Sequence, residues 1–587
     1  MGLGGLAFGL PERGPKKTGP ARTSSGEGRP PNVLLILTDD QGYGDLSGHG
    51  NPVLRTPHLD ALRSQATRLT NFHVDPTCSP TRSSLLTGRY SSRAGVWHTI
   101  MGRSILPRDE TTMAEVFSRN GYRTAIFGKW HLGDNDPFRA MDRGFDESIV
   151  LGGGAIGNTP DHWGNDYFDD TYRHNGRWEK YSGYCTDVFF RAAMDFMAGS
   201  KGRPFFCYLP TNVPHGPHNV AEEYAKPYRG LVPDRRATFY GMIANLDENI
   251  GRLFRFLRET GLEDNTILIF MTDNGTSFGA EFDSRGFATS GFNAGMRGSK
   301  GTVYEGGHRV PFFIRWPAGG VAAGRDIGRL AAHLDVLPTL VDLCGLEKRP
   351  DVAFDGVSLR PLLTGPSRDV PERTLFVHNQ RVDDPIKGKE CAVMTSRWRL
   401  IDGRELYDLE ADPEQRRDVA SDHPDVVQEL RQAYDRWWDD ISPRFKDSVW
   451  IPFGSDGEDP VRLTSHDIHG QVCWDQSQVR RNARVDGFWA VEVVREGLYE
   501  FRVSRWPEES GLSFGEAPDG SKAFCPTHAR LKVGDADETL PVEAGAKAAV
   551  FTVRLSKRRT RLQAWLVNGI ENGETNGAFY VLVKRLS

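Results

Sequence analysis

Unbroken apolar runs that end in acidic or amide residues mark the first half of the chain. Residues 32–40 read Asn-Val-Leu-Leu-Ile-Leu-Thr-Asp-Asp, and residues 266–274 read Thr-Ile-Leu-Ile-Phe-Met-Thr-Asp-Asn. Runs of this length are typical of parallel strands that are buried on both faces of a sheet. Shorter runs of the same kind predict further strands at residues 124–127, 205–209 and 310–315.

Amphipathic segments separate these runs and predict helices at residues 58–66, 112–120, 188–198 and 237–260. Strands that alternate with helices predict an α/β domain, with a large and mostly parallel sheet flanked by helices. Ligands of such sheets bind at the carboxyl ends of the strands. We therefore expect four side chains to meet at one edge of the sheet: Asp39, Asp40, Asp273 and Asn274.

The pattern changes near residue 370. Short strand patterns at 375–378, 391–395, 398–401 and 405–409 precede an amphipathic helix at 424–440, which predicts a small α+β subdomain. Beyond a Gly- and acid-rich stretch at 452–459, typical of a linker, short alternating strands predict a β-sandwich module. The predicted division is a flexible leader or signal remnant at 1–30, an α/β domain at 31–370, the subdomain at 371–452 and the module at 460–587.

Composition excludes several classes of function. The chain has 587 residues and a net charge of -5, so no basic surface indicates binding of nucleic acid or of an anionic membrane. No apolar run is long enough to span a membrane. The seven cysteines form no Cys-x-x-Cys pair, which argues against a zinc site and against a dense disulfide framework. Residues 1–10 are apolar without a basic start, so a clipped export signal and a disordered tail both remain open.

The two acidic strand ends predict a metal site. Adjacent carboxylates repel each other unless a cation neutralises them. Ligation by oxygen atoms alone favours calcium or magnesium over zinc. The alternative is that these Asp and Asn residues serve only as helix caps or turn residues.

Two longer motifs carry a resemblance to a known family. The first is Cys78-Ser79-Pro80-Thr81-Arg82, followed by residues 83–90 (SSLLTGRY), and the second is residues 121–133 (GYRTAIFGKWHLG). A lone Cys-x-Pro-x-Arg occurs by chance, so the surrounding residues decide its weight. Together the motifs resemble the two signatures of the type I sulfatases, members of the alkaline phosphatase superfamily. The resemblance extends from residue 32 to about residue 307, and the small subdomain is also similar.

The resemblance implies a specific chemistry for Cys78. In this family a formylglycine-generating enzyme oxidises the cysteine to formylglycine, and Pro80 and Arg82 belong to the motif that the enzyme recognises. The hydrate of the aldehyde offers one hydroxyl to attack sulfur. Its second hydroxyl can then be deprotonated to expel sulfate and restore the aldehyde, a route that a serine ester lacks.

The resemblance also implies roles for the other site residues. Calcium, with magnesium as the alternative, is held by the four strand-end side chains and by the modified Cys78. Lys129 binds sulfate oxygens, and His131 takes the proton of the formylglycine hydroxyl. His215 protonates the leaving oxygen, Lys300 holds the bridging oxygen, and Arg82 fixes the nucleophile and balances its charge.

We therefore expect a hydrolase that cleaves a sulfate monoester of a carbohydrate or aryl compound into inorganic sulfate and an alcohol. A phosphonate or phosphate monoester hydrolase of the same superfamily is the alternative enzyme. A non-catalytic protein that binds sulfated glycans is the alternative from another class. The C-terminal module could bind carbohydrate, mediate oligomerisation or cover the rim of the active site. Family habit favours a periplasmic or secreted location, with the cytoplasm left open.

Overall fold

A ten-stranded sheet forms the centre of a computed structural model of the chain, which describes residues 29–200, 202–365, 371–518, 520–569 and 574–587. Most of the predicted leader lies outside the described residues. The strands of this sheet are β1 (Asn32–Thr38), β2 (Thr67–Leu69), β3 (Arg123–Lys129), β4 (Glu147–Leu151), β5 (Thr171–His174), β6 (Arg177–Lys180), β7 (Phe205–Pro210), β8 (Thr266–Thr272), β9 (Phe312–Arg315) and β10 (Asp326–Ile327). Their order across the sheet is β10-β2-β9-β8-β1-β7-β3-β4-β5-β6.

The centre of the sheet is parallel and its margins are mixed. Strands β8, β1, β7, β3 and β4 run side by side in one direction, whereas β9, β5 and β6 pair antiparallel with their neighbours. Leu37 near the end of β1 lies opposite Met271 of β8 and Pro210 of β7. The carboxyl ends of the central strands therefore meet at one edge, as the sequence predicts.

Helices cover both faces of the sheet. The helices of this domain are α1 (Pro57–Gln65), α2 (Cys78–Thr87), α3 (Met113–Arg119), α4 (Cys185–Ala198), α5 (Glu222–Ala225), α6 (Asp234–Glu259), α7 (Glu305–His308), α8 (Val336–Leu343) and α9 (Arg360–Leu363). Val33, Leu35 and Leu37 of β1 pack in the core that contains residues of α2, α3 and α8, whereas Leu34 and Ile36 pack in the core that contains residues of α1, α4 and α6. Each fully buried aliphatic side chain contributes about 1.5–3 kcal/mol.

Helix α2 is absent from the helices that the sequence predicts. Its sequence, CSPTRSSLLT, is too polar to show an apolar stripe, yet all ten residues are buried. The helix ends at Gly88, whose left-handed φ of 69° lets its N–H donate to the Ser84 carbonyl at 2.8 Å. Burial of a polar helix in the middle of the domain is a tertiary effect that local periodicity does not reveal.

The small subdomain packs against this domain and is linked to it by a buried ion pair. Its strands β11 (Leu375–His378), β12 (Cys391–Met394), β13 (Trp398–Ile401) and β14 (Glu405–Asp408) form an antiparallel sheet beside α10 (Pro424–Ile441). Arg399 of β13 donates to Glu305 of α7 at 2.6 Å, and neither side chain is exposed. Arg399 holds the pKa of the Glu305 carboxyl well below its usual value although burial acts in the opposite direction.

The C-terminal module is a two-sheet β-sandwich with one short helix, α11 (Gln476–Arg480). Its strands are β15 (Ile451–Phe453), β16 (Val461–Thr464), β17 (His469–Gln471), β18 (Asp486–Val493), β19 (Gly497–Ser504), β20 (His528–Val533), β21 (Ala536–Pro541), β22 (Ala549–Leu555), β23 (Arg558–Asn568), β24 (Glu574–Gly577) and β25 (Tyr580–Arg585). One sheet has the order β15-β18-β23-β20-β21, in which β17 also pairs with β18 and β24 also pairs with β23. The other sheet has the order β16-β25-β19-β22.

The linker predicted at 452–459 needs correction at its start. Strand β15 pairs in parallel with β18 of the sandwich, so the sandwich begins before residue 452. Within the same stretch, Glu458 accepts a hydrogen bond of 2.8 Å from the backbone N–H of Asp136 in the α/β domain. Gly and acidic residues here form specific contacts instead of a free connection. Among the described residues, no helix has the length and apolar character needed to cross a membrane.

We predict that Arg399→Met destabilises the protein by about 3 kcal/mol, because it removes the short ion pair of the buried Glu305 carboxylate and leaves the longer contact to Arg309. Differential scanning calorimetry checks this as a lower unfolding temperature. Arg404→Met, in the turn between β13 and β14 and with a side chain 78% exposed, is the matched control and is expected to change the temperature little. Equal unfolding temperatures for the two variants would contradict a stabilising role of the ion pair between Arg399 and Glu305.

Candidate active site

Four polar side chains converge where β1 and β8 end. Asp39 and Asp40 follow β1, Asp273 and Asn274 follow β8, and all four are buried. The Asp40 backbone N–H donates to Asp273 Oδ1 at 3.1 Å, and Asn274 Nδ2 donates to Asp40 Oδ1 at 2.9 Å. The sequence prediction that these residues share one edge is therefore correct.

Cys78 lies against this edge as the first residue of α2. Its Sγ is 3.6 Å from Asp39 Oδ1 and 3.5 Å from Lys300 Nζ. The N-terminus of a helix carries partial positive charge, which favours an anion beside it. Burial raises the pKa of the Cys78 thiol to about 11, although Lys129 and Lys300 act in the opposite direction. The thiol is consequently protonated at neutral pH.

Three cations balance the three carboxylates of the cluster. Lys129 Nζ at the end of β3 donates to Asp39 Oδ2 at 2.6 Å, and Lys300 Nζ donates to Asp40 Oδ1. Arg82 of α2 donates to Asp273 Oδ2 at 2.8 Å and to the Lys129 carbonyl at 2.9 Å. Arg82 is fully buried, so it ties α2 to the ends of β3 and β8 from behind the pocket.

The carboxylates differ in how far neighbouring positive charges offset the effect of burial on their pKa. Burial tends to raise the pKa of Asp40, but Lys300 and His215 hold it well below its usual value. Burial and the neighbouring Asp39 together raise the pKa of Asp273 to about 6, even though Arg82 opposes this. A further positive charge in the cluster would favour ionisation of Asp273.

His131 is held by backbone groups in an orientation that suits a proton acceptor. It follows β3 with a left-handed φ of 56°, a conformation that is uncommon outside glycine. Its Nε2 is 2.9 Å from the Thr99 carbonyl, which can only accept, so Nε2 carries the proton. Nδ1 is buried and has no hydrogen-bond partner among the described residues. Burial and the nearby Lys129 lower the pKa of His131 well below its usual value, so the ring is neutral.

His215 approaches the cluster from the loop after β7. Its Nε2 is 3.8 Å from Asp40 Oδ2, and its Nδ1 is 2.6 Å from the Gly216 carbonyl. Burial lowers the pKa of His215 to about 4, against the effect of Asp40. All six side chains for which the sequence predicts catalytic roles therefore lie at this strand edge or directly behind it.

The donor set suits a hard divalent cation. Ligand atoms of Asp39, Asp40, Cys78 and His215 all lie within 4.8 Å of one another. Asn274 Oδ1 is buried without a hydrogen-bond partner among the described residues, as expected for an oxygen meant for a ligand. Asp273 is outside that group of four and already accepts from Arg82 and from the Asp40 backbone. Oxygen donors favour calcium or magnesium, whereas the thiol of Cys78 suits neither.

A second buried group, His73, Glu305 and His308, also has the composition of a metal site. Its donor atoms are already engaged with protein groups. His73 Nδ1 lies 2.9 Å from His308 Nδ1, His73 Nε2 lies 2.7 Å from Asn71 Oδ1, and Glu305 pairs with Arg399. This group links the two domains and leaves no vacant donor set.

Comparisons with known proteins identify the family of this chain. A sequence model described as sulfatase matches residues 31–346, and one described as the C-terminal region of N-sulphoglucosamine sulphohydrolase matches residues 298–437. The chain belongs to the sulfatase family. This membership makes it a sulfuric ester hydrolase with the alkaline phosphatase-like fold, and members of the family typically depend on a metal ion.

Individual relatives share more than half of the chain. Human N-acetylgalactosamine-6-sulfatase is 32% identical over 59% of this chain and 69% of its own length. Human arylsulfatase A is 33% identical over 66% of this chain and 78% of its own length. Among solved structures, Ps i-CgsB in complex with k-i-k-neocarrahexaose has a TM-score of 0.61 and 27% identity, covering 71% of this chain and 94% of that one.

Sequence reasoning missed the groups that orient this sulfatase's His131. Thr99 contributes only a backbone carbonyl, and Gly154 packs against the imidazole, where an added Cβ would come within 2.2 Å of the ring. Neither contact depends on a side chain with chemistry of its own. The glycines of residues 152–154 were the available signal, because glycine permits this close approach.

We predict that Asn274→Leu weakens calcium binding at least about tenfold, because it removes the unpaired Oδ1 and the hydrogen bond to Asp40. Isothermal titration of chelator-treated protein measures the affinity. Asn265→Leu, just before the opposite end of β8, is the matched control and is expected to keep the parent affinity. Unchanged calcium affinity in Asn274→Leu would exclude this residue as a ligand.

Proposed function

We propose that this sulfatase hydrolyses a sulfate monoester of a carbohydrate, using formylglycine formed from Cys78 and a bound calcium ion, and releases inorganic sulfate and an alcohol. The supporting observation is the position of Cys78, whose Sγ lies within 3.6 Å of both a carboxylate oxygen of Asp39 and the amine of Lys300. The remaining donors are oxygen atoms, which suit calcium and magnesium alike, and membership of the sulfatase family favours calcium.

The surroundings of Cys78 support modification of the thiol. A thiol with a pKa of about 11 is a poor nucleophile at neutral pH, because the thiolate is the reactive form. The same thiol is a soft ligand among hard oxygen donors. Formylglycine, made by a formylglycine-generating enzyme, supplies as its hydrate one hydroxyl that bonds to sulfur and a second that lets sulfate depart.

The charges of the pocket support an anionic substrate. Asp39, Asp40 and Asp273 are matched by Arg82, Lys129 and Lys300, so a bound divalent cation gives the pocket a net positive charge. A sulfate monoester carries one negative charge and develops more on its leaving oxygen during cleavage. We assign Lys129 and Lys300 to the sulfate oxygens and the bridging oxygen, and Arg82 to holding the strand ends in place.

The two histidines divide the proton transfers. His131 presents an unprotonated Nδ1 and takes the proton of the formylglycine hydroxyl. We assign His215 as the donor of a proton to the leaving oxygen, because an alkoxide is a poor leaving group. Burial lowers the pKa of His215 to about 4 in the free protein, so this role requires the negative charge of the bound sulfate ester to favour the protonated ring. Asp39, Asp40, Asp273 and Asn274 would hold the calcium ion, together with an oxygen of the modified Cys78. Asp273 also contacts the cation Arg82.

The carbohydrate assignment draws on relatives. One is named as acting on an N-acetylgalactosamine 6-sulfate group and another is named arylsulfatase, and a structural neighbour was solved with a neocarrahexaose. Two of these three names concern sugars. We carry the sugar class, and no particular sugar, over to this protein.

We predict that the peptide containing Cys78 from active protein carries an aldehyde in place of the thiol, as mass spectrometry of a digest would show. Cys78→Ala is expected to abolish turnover of 4-nitrophenyl sulfate, whereas Cys525→Ala, which changes an exposed thiol on the sandwich, should keep it. Active protein with an unmodified Cys78 thiol would overturn the mechanism. Faster turnover of an aryl phosphonate than of the aryl sulfate would favour the phosphonate hydrolase alternative.

We predict that His215→Ala slows hydrolysis of a sugar sulfate by about 10²- to 10⁴-fold, the usual loss when a general acid is removed. The loss should be much smaller for 4-nitrophenyl sulfate, because nitrophenolate departs without a proton. Measuring kcat for both esters with the same variant makes each substrate the control for the other. Equal losses on both would assign His215 to sulfate binding instead.

A further inference from the structure

Residues 465–476 of the sandwich, here called the docking segment, contact two loops of the α/β domain. The backbone N–H of Met101 donates to the His466 carbonyl at 2.9 Å. The N–H of Thr159 donates to the Trp474 carbonyl at 2.9 Å, and the N–H of Gln476 donates to the Gly157 carbonyl at 2.8 Å. The docking segment lies beyond both sequence models, which end at residues 346 and 437. Its contribution is therefore a property of this chain beyond the shared family region.

Both contacted loops hold the ring of His131. The first contains Thr99, whose carbonyl accepts from His131 Nε2 two residues before Met101. The second contains Gly154, which packs on the ring and whose N–H donates to Asn158 Oδ1 at 2.9 Å. Asn158 in turn forms a β-bridge with Asp475 of the docking segment. The sandwich thus supports the proposed base from two sides.

The docking segment also places a side chain beside His131. The rings of His131 and His466 are 5.9 Å apart between centroids, and His466 is 2% exposed. His466 Nδ1 lies 2.9 Å from Asp467 Oδ1, and because a carboxylate only accepts, Nδ1 carries the proton. The described residues offer no hydrogen bond to Nε2 of His466.

The groups around His466 shift its pKa in opposite directions. Burial opposes its protonation, but Asp467 and Asp134 outweigh this and raise its pKa, with Lys129 acting against them. A neutral ring accepts a hydrogen bond at Nε2, and a protonated ring donates one. A hydroxyl group can pair with either form, whereas an anion pairs only with the protonated form. A hydroxyl is therefore the partner that fits His466 in both states.

We propose that His466 is a specificity-determining residue of this sulfatase, whose Nε2 forms a hydrogen bond with a ring hydroxyl of the sugar that carries the scissile sulfate. Asp467 is a positioning residue that fixes the orientation of the His466 ring. The proposal rests on the proposed function, since a sugar substrate supplies the hydroxyl. It makes the C-terminal sandwich part of the substrate-binding wall.

The test compares two kinds of ester in the parent protein and its variants. The probes are 4-nitrophenyl sulfate, which has no hydroxyl, and N-acetylgalactosamine 6-sulfate, glucosamine 6-sulfate and galactose 4-sulfate. For a sugar that the parent hydrolyses, His466→Ala is expected to lower kcat/KM about tenfold relative to the aryl ester, mainly through KM, as for one lost hydrogen bond. His466→Gln, which keeps a polar group, should recover part of the loss, and Asp467→Asn should show a smaller loss in the same direction.

His528→Ala, a substitution on the far strand β20 of the same module, is the matched control and should leave the ratio of the two activities unchanged. A fall in kcat on sugar and aryl esters alike in His466→Ala would show a structural effect through His131 and overturn the proposal. An unchanged ratio of sugar-ester to aryl-ester activity in His466→Ala would also overturn the proposal. The same holds if the parent protein hydrolyses the aryl ester but none of the sugar sulfates. If the matured parent hydrolyses no sulfate ester at all, the proposed function itself fails.

Discussion

Electrostatic repulsion among three buried carboxylates is the constraint on which the site depends. Asp39, Asp40 and Asp273 lie at the ends of two neighbouring parallel strands, where water cannot screen them. Arg82 reduces the repulsion by contacting Asp273 and the Lys129 carbonyl, and this contact holds the buried polar helix α2 in place. The position of Cys78 at the start of α2 is therefore set by the same charges that would bind the cation.

The backbone conformation of His131 is a second feature that the surrounding structure fixes before a substrate binds. A histidine with positive φ is held in a sparsely populated backbone conformation, which persists only where the surrounding structure enforces it. The Thr99 carbonyl fixes the tautomer and Gly154 fixes the ring position. The ring is consequently held in one orientation and one tautomer, so the proton transfer proposed for Nδ1 would need little reorganisation of the ring.

Whether a part of the fold or of the site could be predicted from the sequence depends on whether its contacts leave a pattern in the nearby residues. The strand ends with Asp39 and Asp273 were predictable, because parallel strands bring their carboxyl ends together whatever lies between them. Helix α2 was not, because its burial comes from tertiary ion pairs and its residues lack periodicity. His466 was also invisible, since its neighbour His131 lies more than 300 positions away and nothing in the alternating strand pattern indicates which edge of a sandwich docks.

The C-terminal sandwich shares a buried apolar cluster with the α/β domain. Ile105 and Phe138 of the α/β domain are part of the same buried cluster as the sandwich residues Trp489 and Trp506. Removing the module would therefore expose an apolar surface and release the loops that hold His131, so loss of activity after truncation would not distinguish glycan binding from a damaged site. Point substitutions in the docking segment separate these effects, because they alter one side chain and leave the shared core intact.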